Sequence, residues 1–178
     1  GNGIGGQIIG RGSFIMRHLS KMDKETGKGN PGPFWTVGAQ AVEVEFDTRY
    51  CTYEVLKVAI VMDVGKVINP KAAEGGVNMG IGLGSREYFI YNDNGIIQNP
   101  RLRGYKVMRF GEEPDYITEF IETPQIDGPY GGRGFGEHGI LGVPAALGNS
   151  LSLAAGVDLN NLPLLPEYIW KTRNEGNL

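Results

Sequence analysis

Apolar and polar residues alternate most clearly in AQAVEVEFD, residues 39–47, where Val42, Val44 and Phe46 fall on one face and Glu43, Glu45 and Asp47 on the other. A period of two with one wet face predicts a half-buried strand. YEVLKVAIVMD, residues 53–63, is apolar and β-branched enough to predict a more deeply buried strand, paired with the first as an antiparallel hairpin. YITEFIE, residues 116–122, alternates again and predicts a third strand. YFIYNDNGIIQ, residues 88–98, reads as a hairpin, because Asn94-Gly95 is a favoured short-turn dipeptide between apolar flanks.

The period changes elsewhere. In KAAEGGVNMGIGLGSREYF, residues 71–89, glycine content argues for a loop, since each mid-helix Gly costs roughly 1 kcal/mol against Ala. Yet Val77 and Ile81, and Gly80 and Gly84, sit four apart, which predicts a glycine-rich helix pressed closely on a neighbour. ILGVPAALGNSLSLAAG, residues 140–156, predicts a helix with Pro144 in its first turn and Gly156 as its stop. LPLLPEYIWKTRN, residues 162–174, predicts a short helix beginning near Pro166. Residues 13–33 are expected to form a loop-rich opening segment. Hairpins with interspersed helices, and no regular strand–helix–strand alternation, predict an α+β fold in one domain spanning 1–178.

Composition narrows the function classes. The chain has 178 residues and a formal net charge of −3, with no basic concentration able to track a phosphate backbone, so no nucleic-acid role is expected. No apolar run approaches the ~18 residues of a membrane span, and no leader segment is visible. One cysteine, Cys51, and two distant histidines, His18 and His138, predict no protein-ligated metal and no iron–sulfur cluster on this chain. Glycine departs from the ordinary: 29 residues, against a usual share of about 7%. The glycines cluster rather than repeat.

One cluster, GPYGGRGFGEHG, residues 128–139, has one carboxylate, Glu137, in its midst. GFGEHG fits the spacing of a dinucleotide-binding turn, but TPQIDGPYGGR precedes it where an apolar strand belongs, so that reading is weak. A backbone without Cβ atoms lets a planar or anionic ligand approach, and Arg133 adds charge there. Beside Phe135 and packed backbone, Glu137 is expected to be partly desolvated, which would raise its pKa toward a working base. Helix capping is the plainer role for the same acid.

Five segments then occur in order: VLKVAIVMDVGKVINP, EGGVNMGIGLGSREYF, GPYGGRGFGEHG, PAALGNSLSLAAG and LPLLPEYIW. The succession resembles the C-terminal part of the molybdenum-binding subunit in the xanthine dehydrogenase/aldehyde oxidase family of molybdenum hydroxylases, from about residue 34 onward. The resemblance implies a molybdenum cofactor-binding type of fold. It implies Mo-molybdopterin as cofactor, in its plain or cytosine dinucleotide form, lying along Gly132, Arg133, Gly134, Phe135 and Gly136. Glu137 occupies the position of the family's catalytic base, which takes a proton from the oxygen that attacks an electron-poor carbon of a purine-like N-heterocycle or an aldehyde.

A Gly-Gln pair usual in the family is absent, and Gly76 stands at the ungapped position as a candidate cofactor contact. His138 follows the acid where the family more often has a small residue or proline, and is expected to be an exposed loop side chain. The implied partners are the N-terminal molybdenum-binding half or subunit, an iron–sulfur subunit and an FAD subunit, in the cytoplasm. A non-catalytic structural subunit of such a complex is the alternative.

Overall fold

The computed structural model describes residues 5–6, 9–32 and 34–175. Strand β1 runs Val37–Phe46, β2 Tyr53–Asp63 and β3 Asp115–Ile121; helix α1 runs Ala72–Ser85, α2 Leu102–Tyr105, α3 His138–Ala155 and α4 Pro166–Glu175. Residues 9–32 contain turns and bends only.

β1 and β2 pair antiparallel from Val37↔Asp63 to Phe46↔Tyr53, with a register shift at Glu43/Val44. Their turn is tied by the Asp47 carboxylate, which accepts from the N–H groups of Arg49 and Tyr50. Cys51 sits in that turn with its side chain in the core. β3 completes a three-stranded sheet with β2 in the centre, but it pairs parallel, from Lys57↔Asp115 to Asp63↔Ile121. A parallel neighbour requires a crossover, and residues 64–114, including α1, supply it. The sheet is therefore mixed, while the α+β class stands.

The expected hairpin at 88–98 is reduced to one bridge, Tyr91↔Ile97, around a turn in which Gly95 takes φ +75°. The Asn92 side chain satisfies the N–H groups of Asn94 and Ile96, so the turn holds without a longer ladder. α3 begins at His138, two residues before the predicted start. Pro144 consequently lies inside the helix rather than in its first turn, and its ring nitrogen cannot donate to the carbonyl of Ile140.

Both long helices cover one face of the sheet. Val58, Ile60 and Met62 of β2 pack with Val77 and Ile81 of α1 and Val143 of α3. Farther along α3, Leu147, Leu151 and Ala155 meet Leu159, Leu164 and Ile169, with Cys51 alongside. The glycines of α1 explain why it is helical despite its propensity: a Cβ at Gly80 would stand 2.9 Å from Val143 Cβ, and one at Gly84 3.2 Å from Pro144 Cα. Backbone approach between α1 and α3 replaces side-chain interdigitation there. Among the described residues no helix is long and apolar enough to cross a membrane.

Candidate active site

The glycine-rich segment is fastened to the end of β2 before it reaches α3. Gly65 and Gly132 form an antiparallel bridge, Lys66 N–H donates to the Gly131 carbonyl at 2.8 Å, and Arg133 N–H donates to the Val64 carbonyl at 2.8 Å. Gly65 has φ +65°, and a Cβ there would lie 2.4 Å from the Gly131 oxygen. Only glycine satisfies both the conformation and the contact.

From that bridge the chain alternates. Gly132 is buried, Arg133 and Phe135 are half-buried, and Gly134, Gly136 and Glu137 are exposed. The Phe135 ring turns inward and meets Phe120 edge-on at 5.4 Å between centroids. The outward positions before the acid are thus both glycines, and around Gly136 a Cβ would meet nothing within 4 Å. What faces away from the protein is a backbone ledge, 134–136, that ends in a carboxylate.

Three expectations change on this geometry. Glu137 is exposed, not desolvated, because Phe135 points at Phe120 instead of over the acid. Nor does Glu137 cap α3: at the N-cap position, with φ −118° and ψ 10°, its side chain makes no capping hydrogen bond. Arg133 is not a free charge for an anion. Its Nη1 lies 3.3 Å from Asp63 Oδ2 and donates to the Trp35 carbonyl at 2.9 Å, and its buried Nε has no partner. The Thr123 hydroxyl, opposed by burial, then the N–H groups of Gly65 and Thr123, hold the Asp63 carboxyl below its usual range, with Arg133 adding to the effect.

Gly76, on α1, is buried, and a Cβ there would stand 3.3 Å from Gly139 Cα and 3.6 Å from the Gly136 carbonyl. Its bare Cα lets α1 pack closely against the start of α3. His138 is half-buried, not an exposed loop residue: its Nδ1 is buried without a partner, and its ring lies beside Gly134. The side chain of Gln40, on β1, reaches across to donate from Nε2 to the carbonyls of His138 at 3.1 Å and Gly139 at 3.4 Å. Neither Gln40 nor Asp63 was singled out by motif. A signal existed, since 40 shares the inward register of Val42, Val44 and Phe46, and a lone amide there requires a partner.

A shallow pocket of about 180 Å³ beside the ledge is lined by Lys66, Asn69, Arg133, Phe135 and Gly136, with Val64, Val67 and Ile68. The Lys66 ammonium and the Asn69 amide beside bare backbone suit a planar ligand carrying an anionic arm, so the residues fit one wall of a pterin site. Among the described residues no group of three or more His, Cys, Asp or Glu side chains comes together to hold a metal ion directly.

Comparison with known proteins adds four matches. The family described as the molybdopterin cofactor-binding domain matches residues 3–114, a span that ends before the glycine ledge. The xanthine dehydrogenase molybdenum-binding subunit of Escherichia coli O157:H7 is 32% identical over 147 residues, covering 80% of this chain and 19% of its own length. The nicotine 6-hydroxylase large subunit of Paenarthrobacter nicotinovorans is 33% identical over 144 residues, covering 77% of this chain and 18% of its own. Among solved structures, aldehyde oxidoreductase from Desulfovibrio gigas superposes with a TM-score of 0.76 at 27% identity, over 86% of this chain and 17% of that one. The chain spans about a fifth of the length of the curated relatives it matches.

Proposed function

The chain belongs to the molybdopterin cofactor-binding family, as part of the larger molybdenum-binding protein of xanthine dehydrogenase/aldehyde oxidase-type oxidoreductases, and from that premise we propose that it forms the wall of the site that presents a base, Glu137, to the reaction. The observation that carries this reading is the ledge. Gly134 and Gly136 are exposed and lead directly into the one exposed carboxylate of the segment.

The residues that would hold the cofactor are the backbone of Gly132–Gly136, with Lys66 and Asn69 flanking it. When bound, the molybdopterin centre would supply the oxygen transfer and the two-electron redox change of a hydroxylation. The chain's own work is narrower. Bare backbone lets the flat group lie close, since no Cβ stands between them. Glu137 accepts a proton from the attacking oxygen and, being exposed, can pass it onward. Arg133, neutralised by Asp63, holds the ledge rather than the ligand.

The proposed substrate class is an N-heterocycle of purine type or an aldehyde. The proposed complex adds the remaining molybdenum-binding part, an iron–sulfur partner and a flavin partner, in the cytoplasm. The relatives named as subunits support an assembly of several chains.

The test is Glu137→Gln in the purified complex, with metal analysis alongside. A positioned general base contributes ~10²–10⁴-fold, so kcat should fall by that order while molybdenum content stays at the wild-type level. Full activity in the variant rejects the base. A wild-type complex without molybdenum supports the structural-subunit alternative instead.

A further inference from the structure

Glu137 makes no capping hydrogen bond of its own, so its location depends on how its backbone is held. That backbone is rich in glycine, the residue with the most conformational freedom to lose on ordering. Left to itself, the segment would spread the carboxylate over many positions. Backbone bonds tie it to the end of β2 as far as Arg133, and two side chains from the sheet add a grip on each side of the acid.

On the near side, Asp63 meets Arg133 Nη1 at 3.3 Å, with side-chain exposures of 18% and 12%. The other two ion pairs among the described residues expose each member by 34% or more. A nearly buried pair is screened far less than a surface one. Asp63 also accepts from the N–H groups of Gly65 and Thr123, both at 3.2 Å, so the carboxylate is held by bonds independent of Arg133.

On the far side, the Gln40 amide donates to the carbonyls of His138 and Gly139. Its approach depends on Gly142, where a Cβ would stand 2.5 Å from Gln40 Oε1. That Oε1 is itself buried without a partner. An apolar residue in this register, like Val42 or Val44 beside it, would avoid the cost of an unpaired acceptor. The amide makes its bonds on its donor side, and the donor side points at the turn carrying Glu137.

We propose that Asp63 and Gln40 are positioning residues, which grip the backbone on either side of Glu137 and thereby set where its carboxylate stands; this rests on the reading of Glu137 as base. Misplacement of a reacting group by about 1 Å can cost about 10²-fold in rate. Releasing either grip therefore acts on kcat, while substrate binding is left unchanged.

The experiment uses the assembled complex carrying Asp63→Asn or Gln40→Met, each close in size to the original. The expected result is wild-type molybdenum content, unchanged KM and a kcat lowered by about 10-fold or more. Amide hydrogen exchange across 134–139 should accelerate while exchange in α4 stays as in the wild type. A merely structural role would instead lower thermal stability and speed exchange in α4, with kcat of the folded complex intact, and that result overturns the proposal. So does unchanged exchange at 134–139, or loss of molybdenum in step with rate.

Arg133→Lys keeps a charge facing Asp63 but loses the simultaneous bond to Trp35, so a smaller fall in kcat is expected. It keeps the test decisive when Asp63→Asn does not assemble. Glu137→Gln in the same preparation separates the two ideas. An inactive Glu137→Gln beside a fully active Asp63→Asn and Gln40→Met sinks only the grip, whereas a fully active Glu137→Gln sinks the base itself.

Discussion

The N-terminal half of α3 meets α1 through glycines, and its C-terminal half meets the rest of the molecule through leucines. Near the ledge, Gly139 lies against Gly76, Ile140 and Val143 against Gly80, and Pro144 against Gly84. One and two turns after Pro144, Leu147 and Leu151 are fully buried among Leu159, Leu164 and Ile169. Fully burying a Leu side chain contributes roughly 1.5–3 kcal/mol, and glycine contributes almost nothing by that route. At the leucine end side-chain burial supplies stability. At the glycine end Val77, Ile81 and Val143 supply it by burial against β2, and the glycines add position, since backbones in direct contact have little room to shift.

The two ends should break in opposite ways. Removing volume is costly at the leucine end. Leu151→Ala is expected to destabilise by about 2–5 kcal/mol, the range for a large-to-small change in a packed core, read as a lowered midpoint in urea unfolding. A loss below about 1 kcal/mol would mean that the cluster relaxes around the void and that the comparison misplaces the stabilising core.

Adding volume is costly at the glycine end. A Cβ on Gly80 meets Val143 Cβ at 2.9 Å and the Ile140 backbone at 3.2 Å, whereas one on Gly75 meets nothing within 4 Å. Both glycines lie inside α1, so each gains up to about 1 kcal/mol of helix propensity on becoming Ala. At Gly80 that gain is set against an overpacking cost of about 1–3 kcal/mol. Gly75→Ala should therefore stabilise and Gly80→Ala should destabilise or break even, in parallel thermal melts. If both stabilise equally, α1 and α3 are not in the close contact described.

This division was partly legible beforehand. β1 and β3 declared themselves through alternation, β2 through its apolar, β-branched run, and α1 through the spacing of Val77, Ile81, Gly80 and Gly84, against its own propensity. The parallel pairing of β3 was not legible, because a half-buried strand alternates in either direction. The start of α3 was misjudged because Pro144 favours a first turn, while the contact of Gly139 with Gly76 draws the helix back to His138. At the site, motif placed the glycines and Glu137 on one segment. It could not tell that Phe135 turns inward on Phe120, leaving the acid exposed, since that depends on a partner fifteen residues away. Asp63 and Gln40 are long-range partners, and only the sheet register places them beside the loop.

A smaller effect distinguishes how tightly α1 is closed against the sheet. The Tyr116 hydroxyl on β3 bonds to the Asn78 side chain on α1, and burial, followed by the nearby Glu113, pushes its phenol up from 10.0 to about 12. Because the folded pKa is raised, the folded state holds this proton more tightly than the unfolded chain does. The associated stability is complete below pH 10 and is lost as pH climbs through about 12. Tyr116→Phe has no such proton to lose. Urea unfolding at a series of alkaline pH values should show the wild type losing ground to Tyr116→Phe across that window. Tyr53, at the leucine end, is also raised, chiefly by burial, and its hydroxyl bonds to the Leu164 carbonyl at 2.9 Å. Its alkaline loss adds to the wild type and to Tyr116→Phe alike, so it cancels from their difference. What remains reports on α1 alone. Parallel curves for the two proteins would mean that water already reaches the Tyr116 phenol, and that the glycine end is held less closely than its backbone contacts require.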